Sequence, residues 1–294
     1  MTRSPKRRAR SKRSERVTTD GISDNNIVLI ALAGLYLLAV KPRKEAKTSL
    51  EPLKTDYAHR GLWDDDIAEN TMPAFMAADR AGYGIELDIQ LSADGEIMVF
   101  HDDTLERLCG RPEKVSDLTA SELSWVGITG SCDRIPTFRD VLTRVGKDTP
   151  LLIELKGYDI SLCEKAAAML DEYDGYFCIE SFNPLLLNWF RKNRPRYVRG
   201  QLTTNLFRNN KKGNFFVNLI ATPMLLNFLS RPDFIASDIE WQNSLPVRIC
   251  TKLFHAPLFL WTIDTPEKYA SARRTGQAVI FQHITPEPRS KGRK

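Results

Sequence analysis

"GIELDIQLSADGEIMVFHD", residues 84 to 102, decides the fold of this 294-residue chain. Two apolar runs, 84 to 91 and 97 to 102, are separated only by Ser92 to Glu96, and that gap carries the turn dipeptide Asp94-Gly95. Parallel neighbours need a crossover of about a dozen residues or more, so these two runs are expected to pair antiparallel. Downstream and upstream, short apolar runs alternate with helical patterns. The further strand candidates are 56 to 61, 150 to 156, 176 to 182, 198 to 202, 234 to 239, 258 to 263 and 278 to 282. Setting the run at 97 to 102 aside as an extension leaves eight strands with intervening helices, which is what a (β/α)8 TIM barrel requires. Residues 103 to 148 are too many for a plain strand-to-helix connection. They predict an insertion after the second-strand hairpin, with its own helix near residue 120, where Thr119 and Glu122 have the spacing of a capping box. Thr265-Pro266 marks another helix start.

Outside the barrel the composition changes. Residues 1 to 16 hold eight Lys or Arg against one Glu, while the whole chain carries a net charge of +5. The basic character therefore belongs to the tail, and a nucleic-acid-binding body is excluded. The tail, 1 to 26, reads as disordered, and 285 to 294 as a basic C-terminal tail. Between tail and barrel lies "IVLIALAGLYLLAV", Ile27 to Val40, followed by Lys41, Pro42 and Arg43 with no small-residue cleavage site. Fourteen apolar residues make a helix of about 21 Å against a hydrocarbon core of about 30 Å. A membrane anchor, spanning or lying in the interface, is expected; a buried helix of the domain is the alternative. If the helix spans, the charge asymmetry puts the tail in the cytosol and the domain outside. Five cysteines without a C-x-x-C pair read as free thiols and point the other way, so the side of the membrane stays open. Residues 208 to 232, basic at the start and then nearly all apolar, read either as an outer barrel helix or as an interfacial segment.

Catalytic groups of such barrels come from the C-terminal strand ends. Those ends carry His59 and Arg60, Glu86 and Asp88, Glu154 and Lys156, then Glu180, Gln201, Asp238, Trp261 and Asp264. Glu86 and Asp88 are two apart on one strand and leave on one face, and Glu154 and Lys156 repeat that geometry. Three carboxylates on neighbouring strands repel unless a cation neutralises them, and Mg2+ or Ca2+ suits oxygen ligands. The alternative is a structural ion cluster with Lys156, Arg60 and Arg107. His59 and His101 flank the acids as an acid/base pair. His255 and His283 read as surface or packing residues.

These residues also carry a family resemblance. "AHRG" at 58 to 61, "ENT" at 69 to 71, "ELD" at 86 to 88, "DG" at 94 and 95, "HD" at 101 and 102, "IPTF" at 135 to 138, "IELK" at 153 to 156 and "WTID" at 261 to 264 resemble the glycerophosphodiester phosphodiesterase family over residues 56 to 284. The resemblance implies a barrel that hydrolyses glycerophosphodiesters to sn-glycerol 3-phosphate and an alcohol with Ca2+ or Mg2+. It implies His59 and His101 as the acid/base pair, Glu86, Asp88 and Glu154 as metal ligands, and Arg60 and Lys156 as phosphate-binding cations. Trp261 either lines the substrate or packs at the rim. The chain departs from the family at Ile263-Asp264, where Val-Asn is frequent, and at "IFQHITP", where an Asp-rich run is frequent; both bear on alcohol selectivity. Three alternatives stand beside this activity: a lysophospholipase D-like action on membrane lysophospholipids, a non-catalytic lipid- or polymer-binding barrel at a membrane, and a sugar-phosphate aldolase. The last needs a Schiff-base lysine in an apolar strand, and Lys156 sits beside Glu154 instead.

Overall fold

The computed structural model describes residues 24–43, 50–209, 215–276 and 278–288. Most of the expected N-terminal tail and the last six residues of the C-terminal one lie outside the described residues. The chain divides into two units, Met1–Leu35 and Tyr36–Lys294.

A single helix, Asp24–Val40, begins in the first unit. There Ile27, Leu29, Ile30, Leu32 and Leu35 are each more than half exposed. Its 17 residues reach about 25 Å. Among the described residues no helix is long and apolar enough to cross a membrane. The helix expected at 27 to 40 is thus present, and the spanning form is not shown.

The second unit is the barrel. Its strands are β1 (Asp56–Ala58), β2 (Gly84–Leu91), β3 (Ile97–Val99), β4 (Leu151–Leu155), β5 (Phe177–Ser181), β6 (Arg199–Thr203), β7 (Phe234–Asp238), β8 (Leu258–Ile263) and β9 (Ala278–Phe281). Eight pair in parallel, and β1 closes the ring by bonding both β2 and β9. β3 pairs antiparallel with β2, Ile89 opposite Val99, and extends beyond the ring as the short turn required. The first strand is shorter than expected because the chain turns sharply at Arg60 and Gly61, both at positive φ.

Alternation along the strands separates two cores. Ile85, Leu87, Ile89, Ile153 and Leu155 pack outward with Phe75, Ala78, Leu162, Ala166 and Leu186 of the helices. Tyr57, Leu152, Cys178, Phe234, Phe259 and Ile280 fill the barrel interior. Phe234 and Phe259 stack at 4.2 Å, and a Cβ at Gly200 would overlap the Phe234 ring, so β6 needs glycine there. With the lower interior plugged by aromatics, the inward positions nearer the C-terminal ends are left to polar groups.

The insertion contains short helices Glu106–Cys109, Ala120–Trp125 and Phe138–Arg144. The capping box forms: Glu122 N donates to Thr119 Oγ1 at 3.2 Å and Thr119 N to Glu122 Oε2 at 2.8 Å. Met98, Phe100, Leu105, Val115, Leu123 and Ile135 make its separate core, which seats the β3 arm. Residues 208 to 232 do not form one outer helix. Their described parts include Phe215–Ala221 and Asn227–Ser230, separated by Pro223 and the positive φ of Met224, and Leu206–Asn209 precedes them. Phe215, Phe216, Val217 and Leu219 remain at least half exposed.

Candidate active site

The rim is built from the turn after β1. His59 N donates to Phe281 O at 2.8 Å, which carries the chain one residue past the strand. Arg60 then adopts φ +60° and Gly61 φ +84°. A Cβ on Gly61 would lie 2.7 Å from Ala74, so the turn is open to glycine alone. It directs Arg60 N onto Glu86 Oε2 at 2.9 Å. The guanidinium donates to Glu69 Oε1 at 2.7 Å and its Nε stands 3.5 Å from Asp88 Oδ2. Asn70, also at positive φ, donates from Nδ2 to Asp88 Oδ2 at 2.9 Å.

The strand register then gathers the acids. Asp88 lies opposite Glu154, and Glu154 opposite Glu180. One oxygen each from Glu86, Asp88 and Glu154 lie within 4.8 Å of one another. Lys156 Nζ donates to Glu154 Oε1 at 3.0 Å and is 3.4 Å from Asp88 Oδ1. Burial, then the neighbouring charges of Asp88, Glu154 and Glu180, raise the Glu86 carboxyl well above its usual range. Burial is also the first cause for Glu154, pushed up to about 7 against the pull of Lys156. Asp88 is likewise buried, yet Lys156, His101, Arg60 and the Asn70 hydrogen bond outweigh that cost and hold it well below the usual range. One carboxylate is therefore kept ionised while its neighbours are pressed toward the neutral form.

The imidazoles approach from two sides. His59 Nδ1 bonds Gln282 Oε1 at 2.7 Å, and its Nε2 is 3.9 Å from Glu86 Oε2. Burial, and next the Arg60 charge, push His59 down to about 4. His101 Nδ1 bonds Asp102 Oδ1 at 2.6 Å. Arg107 braces that carboxylate through Nε at 2.6 Å and reaches back to Glu69 at 2.7 and 3.0 Å. A continuous chain of charge-assisted bonds thus ties the β3 arm to the turn after β1. Burial also lowers His101, against the Asp88 charge, which raises it.

His59, Arg60, Glu86, His101, Glu154 and Trp261 line one cavity of about 100 Å3. Asp88 and Lys156 reach it through their bonds to these groups, so every residue expected at the site converges. Asp238, which accepts from Thr204 Oγ1, and Asp264, which pairs with Lys268, are not among the residues lining this cavity; nor is His283, which packs edge-on against Trp63. Gln201 is turned to the backbone of Ser181 and Phe182. The sequence reading assigned no site role to Glu180, Phe182, Asn70, Asp102 or Gln282. For Glu180 a signal existed, since it repeats the inward carboxylate of Glu154 one strand on. It is 1% exposed, lines the cavity, and its Oε2 has no hydrogen-bond partner. Trp261 Nε1 is likewise buried without an acceptor, its ring edge-on to Phe182 at 5.8 Å.

The chemistry of the donor set fits a hard divalent cation. All three candidate ligands offer oxygen, and Asp88 Oδ1 is buried and accepts no hydrogen bond. Residues 59–283 match the model of the glycerophosphoryl diester phosphodiesterase family. Among curated relatives, Bacillus subtilis YhdW is 38% identical over 230 residues, covering 74% of this chain and 90% of that protein. The human lysophospholipase D GDPD1 is 30% identical over 135 residues, 42% of each chain. The crystal structure of a Thermotoga maritima glycerophosphodiester phosphodiesterase superposes with a TM-score of 0.59 at 27% identity, covering 76% of this chain and 92% of that one.

Proposed function

The chain belongs to the glycerophosphoryl diester phosphodiesterase family and is a phosphodiester hydrolase; from that premise we propose that its rim cleaves glycerophosphodiesters to sn-glycerol 3-phosphate and an alcohol, as a step of lipid breakdown. The observation that carries this reading is the convergence of three carboxylates and two imidazoles, each imidazole held by a different partner, on one cavity. Glu86, Asp88 and Glu154 hold Ca2+ or Mg2+, which when bound supplies a Lewis acid for a phosphate oxygen.

The rest is the work of the chain's own groups. Gln282 Oε1 accepts from His59 Nδ1–H, which fixes the tautomer and leaves Nε2 as a proton acceptor facing the cavity. His59 is thus the base for the attacking oxygen, either water directly or the glycerol 2-hydroxyl, and in the second case water then opens the cyclic phosphate to give sn-glycerol 3-phosphate. Asp102 accepts from His101 Nδ1–H, which orients the ring and offsets part of the lowering by burial, and His101 is assigned to protonating the departing alcohol oxygen. Arg60 and Lys156 offset the charge that grows on phosphorus. Glu180 Oε2 and Trp261 Nε1, an unpartnered acceptor and an unpartnered donor, bind the glycerol end, since one hydroxyl can donate to the first and accept from the second.

A second reading, lysophospholipid as substrate, is favoured by the lysophospholipase D relative and by the exposed Phe215, Phe216, Val217 and Leu219; a small cleft of mixed polar and apolar lining adjoins the rim. Leu206, Ala221, Met224 and Leu226 line that cleft, and it shares Phe182 and Leu202 with the rim. Asp24–Val40, with its exposed apolar residues, associates with the membrane interface in this reading. The test is a panel of glycerophosphodiesters and lysophospholipids offered to EDTA-stripped protein with Mg2+ or Ca2+ restored. Hydrolysis of neither class with either metal sinks the proposal; preference between the classes decides the substrate.

A further inference from the structure

At the N-terminal ends of β6 and β7, the face of the barrel away from the acids, lies a cavity of about 530 Å3 whose lining includes Lys41, Arg43, Arg191, Arg199 and Arg231. Among the described residues the carboxylate paired with these cations is Asp233, buried, 3.6 Å from Arg43 Nε and 3.9 Å from Arg199 Nη2. Backbone carbonyls fix the guanidinium groups. Arg43 Nη1 donates to Pro195 O at 2.6 Å, Arg191 Nη1 to Phe228 O and Leu229 O at 2.8 Å, and Arg231 Nη1 to Leu38 O and Lys41 O at 3.1 and 2.8 Å. Arg199 Nη1 donates to Tyr197 O at 2.8 Å, while its Nε, on a side chain only 2% exposed, has no acceptor.

A purely structural role, stapling residues 36–43 to the barrel, accounts for the carbonyl bonds. Among the described residues it leaves the charge uncompensated. Neutral amide oxygens orient a guanidinium but do not cancel it, and like charges gathered at a partly buried site are costly without a counterion. Each arginine has five donors and spends one or two of its nitrogens on carbonyls, so rigid N–H edges remain for an anion. Planar guanidinium clusters fit the oxygens of a phosphate, and the space exceeds what a monatomic anion fills.

We propose that this cavity binds the phosphate group of an anionic lipid headgroup. The lipid source is favoured over free phosphate by Leu38, which shares the lining with the cations, and by the position of Lys41 and Arg43 directly after the apolar run Ile27 to Val40. The site is separate from the rim, so its fate is independent of the catalytic reading.

The test is calorimetric titration of the full chain, in EDTA, with short-chain phosphatidic acid below its micelle concentration. Parallel titrations use the matching phosphatidylcholine and inorganic phosphate. The variants are Lys41→Glu, an exposed side chain, and Arg191→Gln, with Arg191→Lys as the charge-keeping control. Circular dichroism and the melting temperature report that each is folded. Phosphatidic acid is expected to bind while phosphatidylcholine does not, with affinity lowered roughly tenfold or more in the two charge variants and largely kept in Arg191→Lys. Equal binding of phosphatidic acid by wild type and both folded variants overturns the site. Inorganic phosphate binding as tightly as phosphatidic acid overturns the lipid source.

Discussion

The two ends of this barrel are electrostatic opposites built by the same means. At the C-terminal rim Glu86, Asp88, Glu154 and Glu180 crowd together with Lys156 and Arg60 as the cations in contact. At the N-terminal end five basic residues line one cavity, and two of them, Arg43 and Arg199, pair with Asp233. Among the described residues neither cluster is self-neutral, and each contains a deeply buried polar atom without a hydrogen-bond partner, Asp88 Oδ1 at one end and Arg199 Nε at the other. A self-contained ion-pair network would have matched donors to acceptors. The surplus at each end reads as a place held for an outside ion, a cation above and a phosphate below.

The largest expected effect tests the upper half of that comparison. Asp88→Ala should lower hydrolysis of glycerophosphocholine by roughly a thousandfold or more, several kcal/mol of lost charge stabilisation. Calorimetry should show loss of Ca2+ or Mg2+ binding as well; retained metal affinity would break the assignment. His59→Ala and His101→Ala should each reduce kcat by about 10^2 to 10^4 while leaving metal affinity unchanged. If metal binding falls with either, that imidazole belongs to the cation site instead. Asp102→Asn removes a charge-assisted bond and should cost about 10- to 100-fold in kcat. The loss should fall on kcat rather than KM, and a pure KM effect would deny its role behind His101. The smallest effect is the most direct probe of surplus charge. Glu180→Gln should raise the melting temperature of EDTA-treated protein by about 2–4 °C, for roughly 1 kcal/mol of relieved repulsion and desolvation. A fall would mean that Glu180 is satisfied where it stands.

Much of this was legible in sequence because strand periodicity and turn chemistry are local. Asp94-Gly95 fixed β3 as a hairpin arm, the remaining runs counted to eight, and carboxylates at inward positions of β2 and β4 stood out against an apolar pattern. What stayed hidden depends on closure of the ring. Gln282 meets His59 across 223 residues, and Arg43 meets Pro195 across 152. No periodicity announces such pairs. Glu69 was visible as part of a motif, but its work as the joint between Arg60 and Arg107 appears only when the insertion folds back. The segment at 208 to 232 stood open between an outer helix and an interfacial segment: its apolar content suits one helix, and Pro223 with the left-handed Met224 interrupts it.

β2 is the longest strand of the barrel, and it pairs with β1 and β4 inside the ring and with β3 beyond it. It therefore acts as a gauge for the whole rim. Side chains alternate faces along it, so one residue inserted between Ile85 and Glu86 would turn both carboxylates toward the helices and drive leucine and isoleucine into the cavity. A substitution removes one group; a frame error of a single position in this strand would exchange the chemistry of the site for the contents of the core.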